Sequence, residues 1–382
     1  MAPSSSRQAA KVGAANLYRR AANNIELDIP RRAHVLALVK EAPGPGNLRL
    51  KEAPEPQAGP GQVRIAVQAA GICGSDLHIM HGDIKLLVRP PVTIGHEFSG
   101  VIDQLGAGVS GWRIGERVTS ETAVRTCGTC YSCRTGFPNR CSQKEIIGYV
   151  HDGAFAQYVL VDAARLHRLP PEVDFLSGAM TEPLACCVRA LYEIARLRPS
   201  DLVLLAGPGG IGLLALQVVK AAGATAFMVG TASDRERLAL ALELGADRVL
   251  VAGEDDVSAE VAAATDGNGC DVFVECSGAP AAARLGLEAT RRGGQYVQIG
   301  LAGKPFELDL SLLAYKELKM VGSLGQRWSC WEPALRLMAT GRVKARPLAT
   351  HILPLERWEE GFEAFERKEG IKVILVPPGA RP

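Results

Sequence analysis

The sequence predicts an α/β protein made of a β-rich part and a doubly wound parallel sheet, and three patterns carry that expectation. From Ala33 the chain reads as short alternating strands punctuated by Gly and Pro. From Leu202 the texture changes to apolar strands alternating with alanine- and leucine-rich helices, the pattern of βαβ units. Between the first such strand and its helix stands the turn Gly207-Pro208-Gly209-Gly210-Ile211-Gly212.

The elements follow in order. Residues 1–32 read as an N-terminal extension. Met1–Asn24 carries Arg7, Lys11, Arg19 and Arg20 with no acidic residue, a composition shared by transit peptides and plain flexible tails; Glu26 and Asp28 depart from the transit pattern. Ala33–Val39, Gln62–Ala69 and Gly115–Thr119 are the clearest early strands, and Gly59-Pro60-Gly61 turns the chain before the second. The β-rich texture runs to about residue 187, overlapping a helical pattern from about Phe175 to Ala195 that Pro199-Ser200-Asp201 ends. Leu202–Leu205 is a compact apolar strand and Ile211–Ala222 its helix; Ala226–Val229 and Arg235–Leu244, closed by Gly245, repeat the unit. Arg248–Val251, Val272–Cys276 and Tyr296–Ile299 supply further strands, and after about Gly325 mixed helix and strand end in Lys372–Val376.

Composition narrows the function. A chain of 382 residues suggests two or three domains. Its 43 basic residues against 41 acidic ones leave a net charge of +2, which gives nucleic acid and anionic membrane no electrostatic hold. Aromatic residues at 5% are too sparse for base-stacking platforms, and no apolar run approaches the ~18 residues that span a bilayer. A small molecule is the expected partner. Met1–Ala10 lacks the apolar segment of a secretory leader, so a reducing, cytoplasmic setting is expected for the ten cysteines.

Four of those cysteines form Cys127-x2-Cys130-x2-Cys133-x7-Cys141, with Gly128 and Gly136 allowing tight reversal. Four soft thiolates enclose Zn²⁺ as a tetrahedron and leave no place for substrate, so this site is expected to be structural. A second constellation joins Cys73-Gly74-Ser75-Asp76-Leu77-His78 with Gly95-His96-Glu97. Thiolate, imidazole and carboxylate suit an open zinc site. Singly, each has a plainer reading: Cys73 as a core residue, His96 as a satisfied buried histidine, Glu97 as a surface charge.

Gly95-His96-Glu97-x2-Gly100-x5-Gly106-x2-Val109, the cysteine lobe and the Gly-rich turn, in that order, resemble the zinc-containing medium-chain alcohol dehydrogenases. The resemblance covers residues 33–378 and lies closest to the sorbitol and threonine dehydrogenase branches. It implies a GroES-like catalytic domain from 33–190 and 326–382 around a Rossmann domain at 191–325. It implies two zincs per chain, the catalytic one held by Cys73, His96, Glu97 and Glu182, where Glu182 either ligates directly or binds the metal's water or substrate. By the same resemblance Asp76 orients His96, Ser75 and His78 relay the proton, and Cys186 and Cys187 are buried packing residues. A homodimer or homotetramer is implied as well.

The Gly-rich turn, placed between strand and helix, lets bare backbone approach a pyrophosphate at Gly207, Gly209, Gly210, Ile211 and Gly212. After the second strand, Ala232 stands where NAD users commonly carry Asp. Asp234 two residues on is a candidate ribose partner, whereas Ser233, Arg235 and Arg237 suit a 2′-phosphate, and Thr231 in the same turn is a further cofactor-binding candidate. Both NAD and NADP stay open, with a lean to NAD. Ser277, Gly300 and Leu301, ending later strands, are expected on the nicotinamide side. The loop Gly322–Trp328 lacks the Arg-Tyr pair of animal sorbitol dehydrogenases near Gly325-Gln326, and Ile79 replaces their aromatic residue. The expected substrate is therefore a secondary alcohol of polyol, cyclitol, sugar-phosphate or amino-alcohol type. Carbonyl reduction with NADPH is the alternative direction, and a non-catalytic zinc- and dinucleotide-binding scaffold the alternative class.

Overall fold

The computed structural model describes residues 34–382. The extension expected at 1–32 lies outside the described residues.

The first sheet has seven strands. Along it stand Leu166–Arg168, Arg117–Ser120, Glu97–Leu105, Gln62–Gly71, Lys372–Val376 and Ala349–Pro354, with Tyr158–Asp162 also paired to Gln62–Gly71. Gln62–Gly71 is the axis of this sheet: apolar Val63, Ile65 and Val67 alternate into the core on one face. Its antiparallel register with Glu97–Leu105 sets Gly71 opposite Glu97, and its register with the C-terminal strand sets Gly71 opposite Ile374. The last strand of the chain is thereby laid beside residues met far earlier in the sequence.

The second sheet is wholly parallel, with Arg248–Val251, Thr225–Gly230, Leu202–Ala206, Cys270–Glu275, Thr290–Gln298 and Lys319–Gly322 side by side. In sequence terms the order is 3-2-1-4-5-6, so the strand order reverses between Leu202–Ala206 and Cys270–Glu275, and ligands bind at the carboxyl edge of such a switch point. Every residue of Leu202–Ala206 is buried, as a strand covered on both faces requires.

A shared core holds the two sheets together. It runs from Ala69 and Ile374 through Leu184, Leu191 and Trp331 to Val203 and Leu213. The single helix expected over Phe175–Ala195 is instead broken into Phe175–Gly178, Thr181–Val188 and a π-helical stretch Arg189–Ala195. Asp174 caps the first piece at Ser177 N, and Pro183, which has no N–H to donate, is confined to the first turn of the second. Among the described residues no helix is long and apolar enough to cross a membrane.

Candidate active site

Cys73, His96 and Glu97 offer a sulfur, a ring nitrogen and a carboxylate oxygen that all lie within 4.8 Å of one another. Sheet register explains the meeting. Gly71 faces Glu97, and Cys73 follows as the N-cap of the helix Gly74–His81, while His96 immediately precedes the strand Glu97–Leu105. Gly95 turns the chain into His96 with φ +94°, where a Cβ would stand 2.7 Å from the Phe155 ring, so only glycine fits. Asp76 is fully buried; its Oδ2 accepts from Cys73 N at 2.9 Å and its Oδ1 lies 3.5 Å from His96 Nδ1. Apart from that approach, Asp76 Oδ1 and His96 Nδ1 have no partner among the described residues. The aspartate thus faces one ring nitrogen and leaves Nε2 on the side of the donor trio. Three donors of mixed softness with one position left open suit a catalytic zinc.

The carboxylate of Glu97 has a second claimant. Lys372 Nζ, reaching in from the C-terminal strand, pairs with Glu97 Oε2 and donates to Ile72 O at 2.8 Å. Burial opposes the ammonium, but Glu97, Cys73 and Asp76 outweigh it and hold its pKa above the ordinary value. Sequence reasoning missed this residue, and the local signal that could have found it is a lysine opening the otherwise apolar strand Lys372–Val376.

Glu182 does not join the trio. Its Oε1 accepts from Gln326 Nε2 at 2.9 Å and from Cys186 Sγ at 3.6 Å, which places it beside the trio rather than within it. Burial raises its pKa; Glu97 adds to the rise, and His96 and Lys372 oppose it. Gln326 also donates to Thr122 Oγ1 at 2.9 Å, tying the loop 322–328 to the chain just after the strand Arg117–Ser120. Cys187 is a packing residue as expected, fully buried, whereas Cys186 is only partly buried and donates to Glu182. Ser75 Oγ lies 3.5 Å from His96 Nε2. His78, one turn on, is half-buried and pairs through Nδ1 with Asp83 at 2.9 Å.

The sulfurs of Cys127, Cys130, Cys133 and Cys141 also lie within 4.8 Å of one another. Backbone N–H groups point at them: Cys130 N donates to Cys127 Sγ at 3.3 Å and Cys133 N to Cys130 Sγ at 3.5 Å. The backbone N–H groups of Cys130 and Thr129 pull the Cys127 thiol down to about 6, favouring the thiolate a metal needs. The chain therefore carries two candidate zinc sites, one closed and one open.

In the Gly-rich turn the glycines divide by cause. A Cβ on Gly207 would stand 2.7 Å from Ser277, and one on Gly212 would stand 1.9 Å from Gly207 O, so both are demanded by packing. Gly209 caps the helix Gly210–Ala221 and has nothing within 4 Å of a Cβ, which leaves the backbone bare there. Glu275, a residue sequence reasoning missed, organises the adjoining strand end, whose Ser277 packs on Gly207. This fully buried carboxylate ends the apolar strand Cys270–Glu275 and accepts from Ser277 N and Gly278 N at 2.8 and 2.9 Å. It also accepts from Gln298 Nε2 at 2.6 Å, while Gly300 packs on it and exposed Leu301 follows.

At the second strand's end Asp234, the candidate ribose partner, is engaged by its own turn. Its Oδ2 accepts from Thr231 N at 3.0 Å and Thr231 Oγ1 at 2.7 Å in a capping box, and Arg237 lies 3.5 Å from its Oδ1. Arg237 is turned away to Lys368 O and Gly370 O. Ala232, Ser233 and Arg235 stay exposed, Arg235 pairing only with the exposed Glu254.

Comparison with known proteins agrees with this geometry. Residues 59–171 match the alcohol dehydrogenase GroES-like domain and residues 210–340 the zinc-binding dehydrogenase domain. The chain is 44% identical to sorbitol dehydrogenase of Halalkalibacterium halodurans over 89% of its own length and 99% of that protein's. It is 38% identical to D-arabitol-phosphate dehydrogenase of Enterococcus avium, covering 88% and 96% of the two chains. With L-threonine 3-dehydrogenase of Pyrococcus horikoshii identity is 36%, over 90% and 98%. Among solved structures, 2R,3R-butanediol dehydrogenase of Bacillus subtilis superposes with a TM-score of 0.81 at 33% identity, over 90% and 99% of the chains. An NADP-bound zinc-binding dehydrogenase of Sinorhizobium meliloti gives 0.83 at 30%, over 90% and 100%.

Proposed function

The chain belongs to the zinc-binding alcohol dehydrogenase family, and on that premise we propose that its substrate is a secondary alcohol bearing a polar group on the neighbouring carbon, of polyol, cyclitol, sugar-phosphate or amino-alcohol type. It is a zinc-dependent, NAD(P)-linked oxidoreductase acting on a CH–OH group. The finer reading is supported by the carboxylates: Glu97 stands within the donor trio, and Glu182, held by Gln326, feels the charges of both His96 and Glu97. Carboxylates accept hydrogen bonds from hydroxyl or ammonium groups beside the reacting carbon, which a plain alkanol does not offer. By name, the relatives act on sorbitol, D-arabitol phosphate and L-threonine, each of which has such a neighbour.

When bound, zinc supplies Lewis acidity toward the hydroxyl oxygen and the dinucleotide supplies the hydride acceptor. The rest falls to the chain. Cys73, His96 and Glu97 hold the metal, and Asp76 orients the imidazole and the Cys73 backbone. Ser75 Oγ, beside His96 Nε2, is the group placed to take the hydroxyl proton, and His78 on the same helix, half-buried and paired with Asp83, passes it outward. The bare backbone at Gly209 and the helix start behind it bind the pyrophosphate.

The test is a panel of polyols, cyclitols, amino alcohols and simple alkanols, assayed with NAD and NADP separately on zinc-loaded protein and on Cys73→Ser. Secondary alcohols with a polar neighbour are expected to lead, and Cys73→Ser to lose roughly a thousandfold in kcat/KM. Preference for simple primary alkanols would overturn the substrate class, and full turnover by Cys73→Ser the zinc assignment.

A further inference from the structure

Beside the substrate loop lies a group of cations that the reaction described above does not use. Arg189 begins the π-helical stretch and is 3% exposed. Its Nη1 donates to Ser323 Oγ, Leu324 O and Gly325 O at 3.3, 3.0 and 3.3 Å, and no carboxylate among the described residues lies within ion-pair distance of it. Lys144 Nζ donates to Asn139 O at 3.2 Å and lies 3.9 Å from where a Cβ on Gly325 would stand. Arg140 and Arg327 approach the Phe137 ring at 4.5 and 4.8 Å. Arg327 is offset by Glu193 at 3.5 Å, but Lys144, Arg140 and Arg189 have no ion pair among the described residues. Asn139 adds a second anomaly, for both polar atoms of its side-chain amide are buried without partners among the described residues.

Resting on the dehydrogenase reading, we propose that Lys144 and Arg189, with Arg140 at the rim, form a subsite for an anionic group, phosphate or carboxylate, carried by the alcohol substrate. The loop that receives Arg189 and meets Lys144 at Gly325 also supplies Gln326, which holds Glu182 beside the donor trio. The cations therefore lie one loop away from the reacting centre. A buried guanidinium without a counter-charge is costly, and an anion seated against it offsets that cost with charge-assisted hydrogen bonds. Lys144 and Arg140 also flank Cys141, and a zinc held by four thiolates carries excess negative charge, so neutralising the lobe is the competing role. Among the described residues Lys144 Nζ makes no hydrogen bond to a cysteine sulfur; its neighbours are Asn139 O and the Gly325 position. The ammonium thus meets the Gly325 loop and not the sulfurs of the lobe.

The experiment compares sorbitol, its terminal phosphate monoester and L-threonine as substrates of the zinc-loaded full chain and of Lys144→Gln and Arg140→Gln, with zinc counted in each. An anionic substrate is expected to exceed sorbitol in kcat/KM, and which of the two leads separates phosphate from carboxylate. Lys144→Gln is expected to lower that anionic-to-neutral ratio by about tenfold or more, and the exposed Arg140→Gln to lower it less, with two zincs kept per chain. A wild-type preference for sorbitol, or a ratio unchanged in both variants, overturns the subsite and leaves the dehydrogenase standing. Loss of one zinc in Lys144→Gln with the ratio unchanged assigns the cation to the lobe, with the same consequence. No hydride transfer from any secondary alcohol removes the underlying reading, and the subsite falls with it.

Discussion

The ammonium of Lys372 lies against the carboxylate of Glu97, one residue beyond His96, and both side chains are buried. One carboxylate therefore serves a fixed internal cation and stands within reach of a metal. Removing the lysine leaves Glu97 buried and unpaired, a change worth about 3–5 kcal/mol. Lys372→Met is expected to destabilise zinc-free protein on that scale and zinc-loaded protein less, because the metal supplies the missing positive charge. Denaturant titrations with and without zinc measure both; an equal loss in the two forms would show that Glu97 does not face the metal.

Cys141 is the most buried member of the sulfur lobe. Metal held by such a lobe contributes to folding, so Cys141→Ser is expected to lower zinc from two per chain to one and to reduce Tm by about 5 °C or more. Elemental analysis and calorimetry read the two effects. Retention of both zincs would contradict a closed four-thiolate site.

Cofactor choice turns on Ala232. With Asp234 locked to Thr231, no free carboxylate meets the ribose, and the hydroxyls of Thr231 and Ser233 with the exposed Arg235 suit a 2′-phosphate. NADP is expected to serve at least as well as NAD. Ala232→Asp is expected to raise the NAD-to-NADP ratio of kcat/KM by roughly tenfold. A wild-type enzyme that rejects NADP would refute this account of the strand end.

His167 sets an acid-side limit on stability. It is 2% exposed, stacks on Trp331 at 5.2 Å, pairs with Glu332 at 2.8 Å and faces Glu121 at 3.9 Å, with Arg165 on the far side of Glu121. Burial lowers its pKa, and Glu332 offsets only part of that. Below the ordinary histidine value of about 6.5 the unfolded chain binds a proton that the folded one refuses, so stability falls as pH drops through that value. Tm measured from about pH 8 to 5 is expected to show this decline, and His167→Gln to flatten it. An unchanged slope in the variant would place the decline elsewhere.

Much of the site was legible because its signals are local. The spacing of Cys127, Cys130, Cys133 and Cys141, and the strand–turn–helix around Gly207 and Gly212, state their chemistry within one loop each, since a tetrahedral thiolate site and a phosphate cradle are both built from near neighbours. The meeting of Cys73 with His96 and Glu97 was suggested by resemblance, and sheet register brings it about. Where side chains choose among several partners, the sequence does not name the choice. Glu182 accepts from Gln326, and Asp234 caps its own turn, because hydrogen bonds close at hand are available to both.

The amino-acid order alone determined the two kinds of sheet, the closed thiolate lobe and the phosphate turn, because periodicity and short spacings encode contacts within a few residues. Tertiary structure alone decided that Lys372 faces Glu97, that Gln298 reaches Glu275 from the neighbouring strand, and that Lys144 and Arg189 converge on Gly325. Each of those meetings joins segments far apart in the chain, and only the packing of the folded sheets and the loops they carry fixes which distant charges become neighbours.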